Sequence, residues 1–265
     1  MSILRKFLLP FSLLYGLVIR LRNWFYDKKI LSSFSYSTPV IVVGNLSVGG
    51  TGKSPMIEYL LNLLLPQYKI ATLSRGYGRK TKGYIELHGK EAAETVGDEP
   101  LQFKTKFPEA VVAVDENRKQ GIERIVSEYQ PEVILLDDAF QHRKIQAGFN
   151  ILLTSFDNIY SEDRMLPTGN LREPKSGAVR ADVIVVTKSP ENLSLHDQEK
   201  IGKKLKIKTH QQLFFSYIEY SDYLLDGKGR NIDPALLAKQ KIYSGYGNCK
   251  AQATTSLLKL TKPEF

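Results

Sequence analysis

Short apolar runs punctuate the chain at 40–44, 70–74, 111–115, 133–137, 150–154 and 182–187. Each is continuous rather than alternating in polarity, the pattern of strands buried on both faces of a parallel sheet. Helical periodicity fills the gaps at 55–65, 98–106, 117–129 and 174–180. Strand and helix in alternation predict a doubly wound α/β layer structure, whose sites lie beyond the carboxyl ends of the strands. Around 189–195 the texture turns polar and helix-forming before a further strand at 213–217, so a loose boundary is expected there. The expected division is an N-terminal helix over 1–30, a core over 31–190 and a partial C-terminal α/β lobe over 191–265.

The N-terminus has a different pattern. From Phe7 to Ile19 runs an apolar stretch of 13 residues broken by Pro10, with Arg5 and Lys6 before it. Arg20, Arg22, Lys28 and Lys29 follow, with Trp24, Phe25 and Tyr26 among them. Thirteen residues fall short of the roughly 20 that span a bilayer. Without a small-residue cleavage site after it, a signal peptide is discounted. Basic and aromatic residues at the end of an apolar segment suit an interfacial helix on an anionic leaflet. The competing reading is a hydrophobic helix packed on the protein's own core.

Candidate chemistry concentrates after the first strand. The segment Gly44-Asn45-Leu46-Ser47-Val48-Gly49-Gly50-Thr51-Gly52-Lys53-Ser54-Pro55 breaks a β-branched run into a glycine-rich turn ending Gly-Lys-Ser. Such a loop lets successive N–H groups converge on phosphate oxygens, while Lys53 adds a point charge and Ser54 a hydroxyl for Mg²⁺. Ser47 stands where the general pattern has its first glycine. The fold expected is therefore of P-loop NTPase type. A second signal is the apolar strand 133–136 ending in Asp137 and Asp138, as P-loop enzymes hold Mg²⁺. Two adjacent carboxylates at a strand end point in different directions, so one can face a metal and the other the substrate.

Three more clusters are weaker alone. Arg75-Gly76-Tyr77-Gly78-Arg79 combines two guanidinium groups with glycines, as phosphate or sugar recognition would use, or is a basic turn. Asp98 and Glu99 open a helix, where capping would also explain them. The loop 166–174 holds the pair Arg172 and Glu173. Thr187-Lys188-Ser189-Pro190 sits where guanine-binding proteins carry Asn-Lys-x-Asp, but without the base-reading Asp, which favours ATP over GTP.

A formal charge of +9 over 265 residues asks for an anionic partner. One cysteine, Cys249, excludes a disulfide framework, and no Cys/His spacing suggests a structural zinc. The rival readings are a P-loop GTPase or metallochaperone, which lacks its Asp or its Cys/His ligands here, and a basic nucleic-acid binder. The basic–aromatic cluster lies beside the apolar N-terminal run, so membrane is preferred and no nucleic-acid partner is expected.

Taken in order, GNLSVGGTGKSP (44–55), LSRGYGR (73–79), VGDEP (96–100), DDAFQH (137–142) and LPTGNLREP (166–174) resemble the tetraacyldisaccharide 4'-kinase family. The resemblance covers roughly residues 1 to 242, and Ser47 fits a small hydroxyl residue in that family's loop. It implies an ATP- and Mg²⁺-dependent kinase acting on the 4'-hydroxyl of a lipid A disaccharide 1-phosphate to give lipid IVA. It also implies peripheral docking on the cytoplasmic face of the bacterial inner membrane. By the same resemblance Ser47, Val48, Gly49, Gly50, Thr51, Gly52, Lys53 and Ser54 bind ATP, and Asp98 is the base, with Lys53 and Asp138 also catalytic. Ser54, Asp137, Asp138 and Glu173 would serve the metal, and Arg75, Tyr77, Arg79, His142 and Arg172 the substrate.

The family continues past this point with a TGIA-type turn and a distal His motif that assists the catalytic Asp. Here the chain reads Tyr243-Ser244-Gly245-Tyr246-Gly247-Asn248-Cys249-Lys250-Ala251-Gln252-Ala253-Thr254-Thr255. Read from the second base of the Tyr243 codon, every triplet permits I-L-V-T-G-I-A-K-P-K-P-L-L, an apolar strand entering such a turn. Residues from about 243 onward are therefore expected to be out of frame, which would leave an ATP-binding remnant with impaired catalysis. Re-reading the gene from codon 235 onward is expected to show a single-base indel joining residue 242 to that frame; an intact frame through to a genuine stop would refute this.

Overall fold

The computed structural model describes residues 7–219, 224–225, 231–232 and 257–261. The chain opens with helix α1 (Leu9–Asp27), then β1 (Val40–Asn45), α2 (Lys53–Leu64), β2 (Ile70–Ser74) and the short β3 (Ile85–Glu86). It continues through α3 (Ala93–Val96), α4 (Asp98–Lys106), β4 (Val111–Val114), α5 (Arg118–Tyr129), β5 (Val133–Asp137) and β6 (Phe149–Ser155). A 3-10 turn (Lys175–Arg180), β7 (Val183–Thr187), α6 (Leu195–Leu205) and β8 (Gln212–Glu219) follow, with β9 (Leu224–Leu225), β10 (Asn231–Ile232) and β11 (Leu257–Thr261) beyond.

Among the described residues nine strands form one sheet in the order β11-β8-β7-β6-β1-β5-β2-β4-β3. The seven inner strands are parallel, and only the edges β3 and β11 run antiparallel to their neighbours. The doubly wound parallel layout expected from the apolar runs is what the chain forms. The six runs all become strands with boundaries within one residue at either end. Continuity across 189–195 is also direct: β8 pairs with β7 from Val183↔Gln212 to Val186↔Phe215. The segment expected to be out of frame lies outside the described residues except for β11. Edge pairing uses backbone groups that any non-proline sequence carries, so this pairing is indifferent to reading frame.

Burial on both faces explains the lack of alternation. Val40 and Val42 of β1 and Ile134 and Leu136 of β5 pack on one side, with Ile122 and Ile125 of α5. Val43 and Leu135 point to the other side, against Met56, Ile57 and Leu61 of α2 and Phe103 of α4. Each such buried aliphatic side chain contributes about 1.5–3 kcal/mol.

β1 and β5 are neighbours, which brings the glycine-rich turn and the two aspartates to the same sheet edge. The approach is close at Gly44, where an added Cβ would lie 2.6 Å from Cβ and 3.0 Å from the backbone N of Phe140. Gly44→Ala is expected to cost about 1–3 kcal/mol by overpacking, read as a lowered midpoint in urea unfolding; an unchanged midpoint would mean the 138–142 turn yields freely.

Candidate active site

The glycine-rich turn leaves β1 with Gly49 at φ 109° and Gly52 at φ 83°, the latter at the N-cap of α2. Positive φ at these glycines is a backbone conformation that L side chains rarely adopt and that an anion-binding turn of successive N–H groups uses. The turn is clamped from two sides. Val48 N donates to Asn170 O at 2.8 Å and Arg172 N to Leu46 O at 2.7 Å, so the 166–174 loop lies along it as a short antiparallel ladder. From β7, Thr187 Oγ1 donates to Thr51 O at 2.9 Å and Lys188 Nζ to Gly50 O at 2.7 Å. The Thr187-Lys188 pair thus braces the loop.

Beyond β5 the chain turns sharply, with Asp138 at φ 46°. The two carboxylates consequently face different surroundings. Asp137 is 3% exposed, and its Oδ1 is buried without a hydrogen-bond partner among the described residues. Burial first, then the charges of Glu99 and Asp138, push its carboxyl up to about 7. Asp138 turns instead to the cations: Arg172 grips it with both terminal nitrogens, at 2.7 and 3.1 Å, and Lys53 Nζ stands 3.8 Å away. Burial would raise Asp138, but Arg172 and Lys53 outweigh it and hold its carboxyl below the usual range. Arg172 also reaches the side chain of Asn45 at the end of β1.

The helices α2 and α4 bring their N-termini together, with Ser54 Oγ donating to Glu99 Oε1 at 3.0 Å. Both helix dipoles therefore present positive ends to one place, which favours an anion there. Gly97, at φ 96°, lets the 96–100 turn stack on the 75–79 loop, its Cβ direction 3.3 Å from Gly76 Cα and the Tyr77 carbonyl. On the opposite wall Arg118, 3% exposed, donates to the carbonyls of Asp115 and Asp137 at 2.7 and 3.0 Å. Burial pushes its guanidinium down to about 10 against the opposing pull of Asp137 and Asp138.

In one cleft of about 790 Å³, Lys53, Asp98, Asp137, Asp138, Arg172 and His142 meet Arg75 and Tyr77, with Val48 and Gly49 of the glycine-rich turn at its wall. Two residues expected at the site stand elsewhere. Glu173 is fully buried and forked by Arg180 at 2.7 and 3.0 Å, with Asn23 donating to it at 2.7 Å, so its oxygens are committed away from a metal. Arg79 pairs with Glu116 and donates to Gly83 O at 2.8 Å, so it shapes its own loop rather than the cleft wall. Conversely, Arg118 and Gln141 line the cleft and Asn45 reaches it through Arg172, roles that the sequence did not mark, and Glu99 lines it beside Asp98. Glu99 was visible only as the second acid of a helix start, and Arg118 carried no sequence signal.

The residues fit a divalent cation with a nucleotide. Asp137 has a buried free oxygen and a carboxyl raised by burial, which a cation would return to its charged form. Among the described residues no group of three or more His, Cys, Asp and Glu could hold a metal by itself. That is the usual case for Mg²⁺, which takes one or two carboxylates plus substrate phosphates and water.

His142 lines the cleft half-buried, and burial, then Arg118, Lys144, Arg22 and Arg75, push its imidazole down to about 4. Because the folded value lies below the ordinary 6.5, the unfolded chain takes up this proton first, and the associated stability is lost as pH falls from about 6.5 toward 4. An NMR titration is expected to show the His142 ring neutral down to pH 5; a midpoint near 6.5 would refute this environment.

A family model described as tetraacyldisaccharide-1-P 4'-kinase matches residues 4–239. The tetraacyldisaccharide 4'-kinase of Flavobacterium johnsoniae is 56% identical over 236 residues, 89% of this chain and 69% of that protein. That of Flavobacterium psychrophilum is 51% identical over 249 residues, 92% of this chain and 73% of that protein. Among solved structures, LpxK from Aquifex aeolicus in complex with ATP superposes with a TM-score of 0.76 at 37% identity, covering 91% of this chain and 73% of that one. A strand-turn-helix phosphate cradle, two strand-end aspartates and an acid-led helix in one cleft agree with this likeness, and the chain belongs to the tetraacyldisaccharide-1-P 4'-kinase family.

Proposed function

We propose that the chain transfers the γ-phosphate of ATP to the 4'-hydroxyl of a tetraacylated lipid A disaccharide 1-phosphate, yielding lipid IVA. The observation that carries this reading is the meeting of Lys53, Asp137, Asp138 and Asp98 in one cleft. The N–H groups of 47–54 and Lys53 hold the nucleotide phosphates. Asp137 and Ser54 would hold Mg²⁺, which neutralises charge on the phosphate oxygens, and Glu99 orients Ser54. Asp138 positions Lys53 and Arg172, and Arg172 with Arg75 offsets phosphate charge. Asp98, exposed in the first turn of α4, accepts the proton of the attacking hydroxyl. Phosphoryl transfer of this kind is positioning plus charge stabilisation, with a carboxylate orienting the nucleophile. His142, kept neutral, and Tyr77 offer hydrogen bonds to the sugar. The three-part division at about 30 and 190 belongs to the same proposal.

The helix α1 supports a place on a membrane. Leu13, Leu14, Leu17 and Val18 are 56–66% exposed, whereas its buried residues are Ser12 and Gly16. Ser12 Oγ donates to Met165 O at 2.8 Å and Tyr15 Oη to Arg172 O at 2.9 Å, so the polar stripe faces the protein and the apolar stripe faces outward. An apolar face of this kind calls for a hydrophobic medium. No helix among the described residues is long and apolar enough to cross a membrane. We place the chain peripherally on the anionic cytoplasmic leaflet of the inner membrane, where its acceptor lipid resides.

Incubation with ATP and the tetraacylated disaccharide is expected to give a 4'-phosphorylated product, and Asp98→Asn to lower its rate by about 10²–10⁴ with ATP affinity unchanged by calorimetry. No product from a chain with its C-terminal frame restored would overturn the assignment. Replacing Leu14, Leu17 and Val18 together by Ser is expected to release the protein from anionic vesicles in flotation without lowering its Tm; a lowered Tm with vesicle binding intact would make α1 a core helix.

A further inference from the structure

Arg22 differs from the other cations of the cleft in coming from α1, the helix whose opposite face is apolar and exposed. It lies seven residues beyond Tyr15 and one before Asn23, on the stripe that docks against the protein. Its Nη2 donates to the Gln141 carbonyl at 2.6 Å, which fixes the guanidinium at the cleft wall. Its Nε is buried without a hydrogen-bond partner among the described residues. Among the described residues no carboxylate stands within ion-pair distance of it, whereas Arg172, Arg79, Arg143 and Arg180 each have one. Arg118, whose Nε is likewise without a partner among the described residues, gives both of its terminal nitrogens to carbonyls, whereas Arg22 gives one. A partly desolvated guanidinium with open donors and no counter-charge is an anion site waiting for its ligand. The surroundings agree, since the charges that act most on the neighbouring His142 are those of Arg118, Lys144, Arg22 and Arg75, all cationic.

We propose that Arg22 binds the phosphate that the lipid acceptor already carries, and so selects a phosphorylated disaccharide over its unphosphorylated counterpart. This rests on the kinase reading above. ATP is the other source of phosphate, but its binding elements are the 47–54 cradle, Lys53 and the two helix N-termini. Only the acceptor combines apolar chains with a phosphate, and α1 offers an apolar face and a guanidinium on adjacent stripes of one helix. The same helix then meets both parts of that molecule, the acyl chains outside and the headgroup phosphate inside the cleft.

The test compares wild type, Arg22→Gln and Arg22→Lys with the tetraacylated disaccharide 1-phosphate and with its analogue bearing a free 1-hydroxyl, in mixed detergent micelles. Equilibrium binding of each lipid is measured beside turnover. Arg22→Gln is expected to weaken binding of the phosphorylated lipid and raise its KM roughly 10- to 100-fold, the loss of one charge-assisted contact, leaving the KM for ATP unchanged. Wild type should lose the same factor with the hydroxyl analogue, and Arg22→Gln should no longer distinguish the two lipids. Arg22→Lys, which keeps the charge without the fork, should fall between. Equal losses with both lipids, or a raised KM for ATP, would overturn the inference. Should Arg22→Gln melt early, the discrimination by Arg22→Lys decides instead. Failure of the kinase reading shows separately, as lipid bound by wild type without phosphorylated product.

Discussion

The fork of Arg172 on Asp138 ties together parts of the chain that are otherwise distant. Arg172 sits on the 166–174 loop, Asp138 at the exit of β5, and the same guanidinium reaches Asn45 at the exit of β1. Through Asp138 it also fixes Lys53, and through its own backbone N–H it lies against Leu46 beside the phosphate loop. A charge-assisted, bidentate contact in a half-buried setting is strong and strictly oriented. Its position explains why the loop can carry open glycines and yet hold one shape. The phosphate cradle is shaped from outside, by 170–172 on one flank and Thr187 and Lys188 on the other.

The same loop connects the cradle to α1. Tyr15 donates to the Arg172 carbonyl, Asn23 to Glu173, and Arg22 to Gln141, whose own amide donates to Asn45 O at 2.6 Å. The helix is amphipathic in an inverted sense, with hydrogen-bonding side chains inward and apolar ones outward. A core-packed helix would show the reverse. Docking through hydrogen bonds instead of apolar burial leaves the hydrophobic stripe exposed while keeping the helix in register with the active-site loops.

The contrast between Asp137 and Asp138 shows how one dipeptide serves two tasks. The left-handed turn at Asp138 separates the carboxylates, and burial then divides them electrically. Asp137 is pushed toward protonation by desolvation, whereas Asp138 is held ionised by Arg172 and Lys53. Opposite shifts in adjacent groups mark a site poised for a cation on one and a network of cations on the other.

The strands, their parallel pairing, the phosphate loop and the paired aspartates were all legible in order along the chain. They depend on local periodicity, β-branching and glycine, which report burial and turn geometry wherever they occur. Less legible were roles that depend on what lies opposite. Glu173 and Arg172 are adjacent in the chain, yet one turns to Asp138 and the other to Arg180 and Asn23. Arg75 lines the cleft while Arg79, in the same motif, folds back on Glu116. Arg118 reads as an ordinary helix start, and only the ends of β4 and β5, which flank β2 at one edge of the sheet, make it a bracket between two strand termini. For α1, the order of residues specifies an apolar helix ending in basic and aromatic residues, but which stripe faces the protein depends on the carbonyls of Met165, Gln141 and Arg172. Local pattern settles what an element is; the hydrogen-bonding partner it meets across the fold, invisible in one dimension, settles which of its side chains do chemistry.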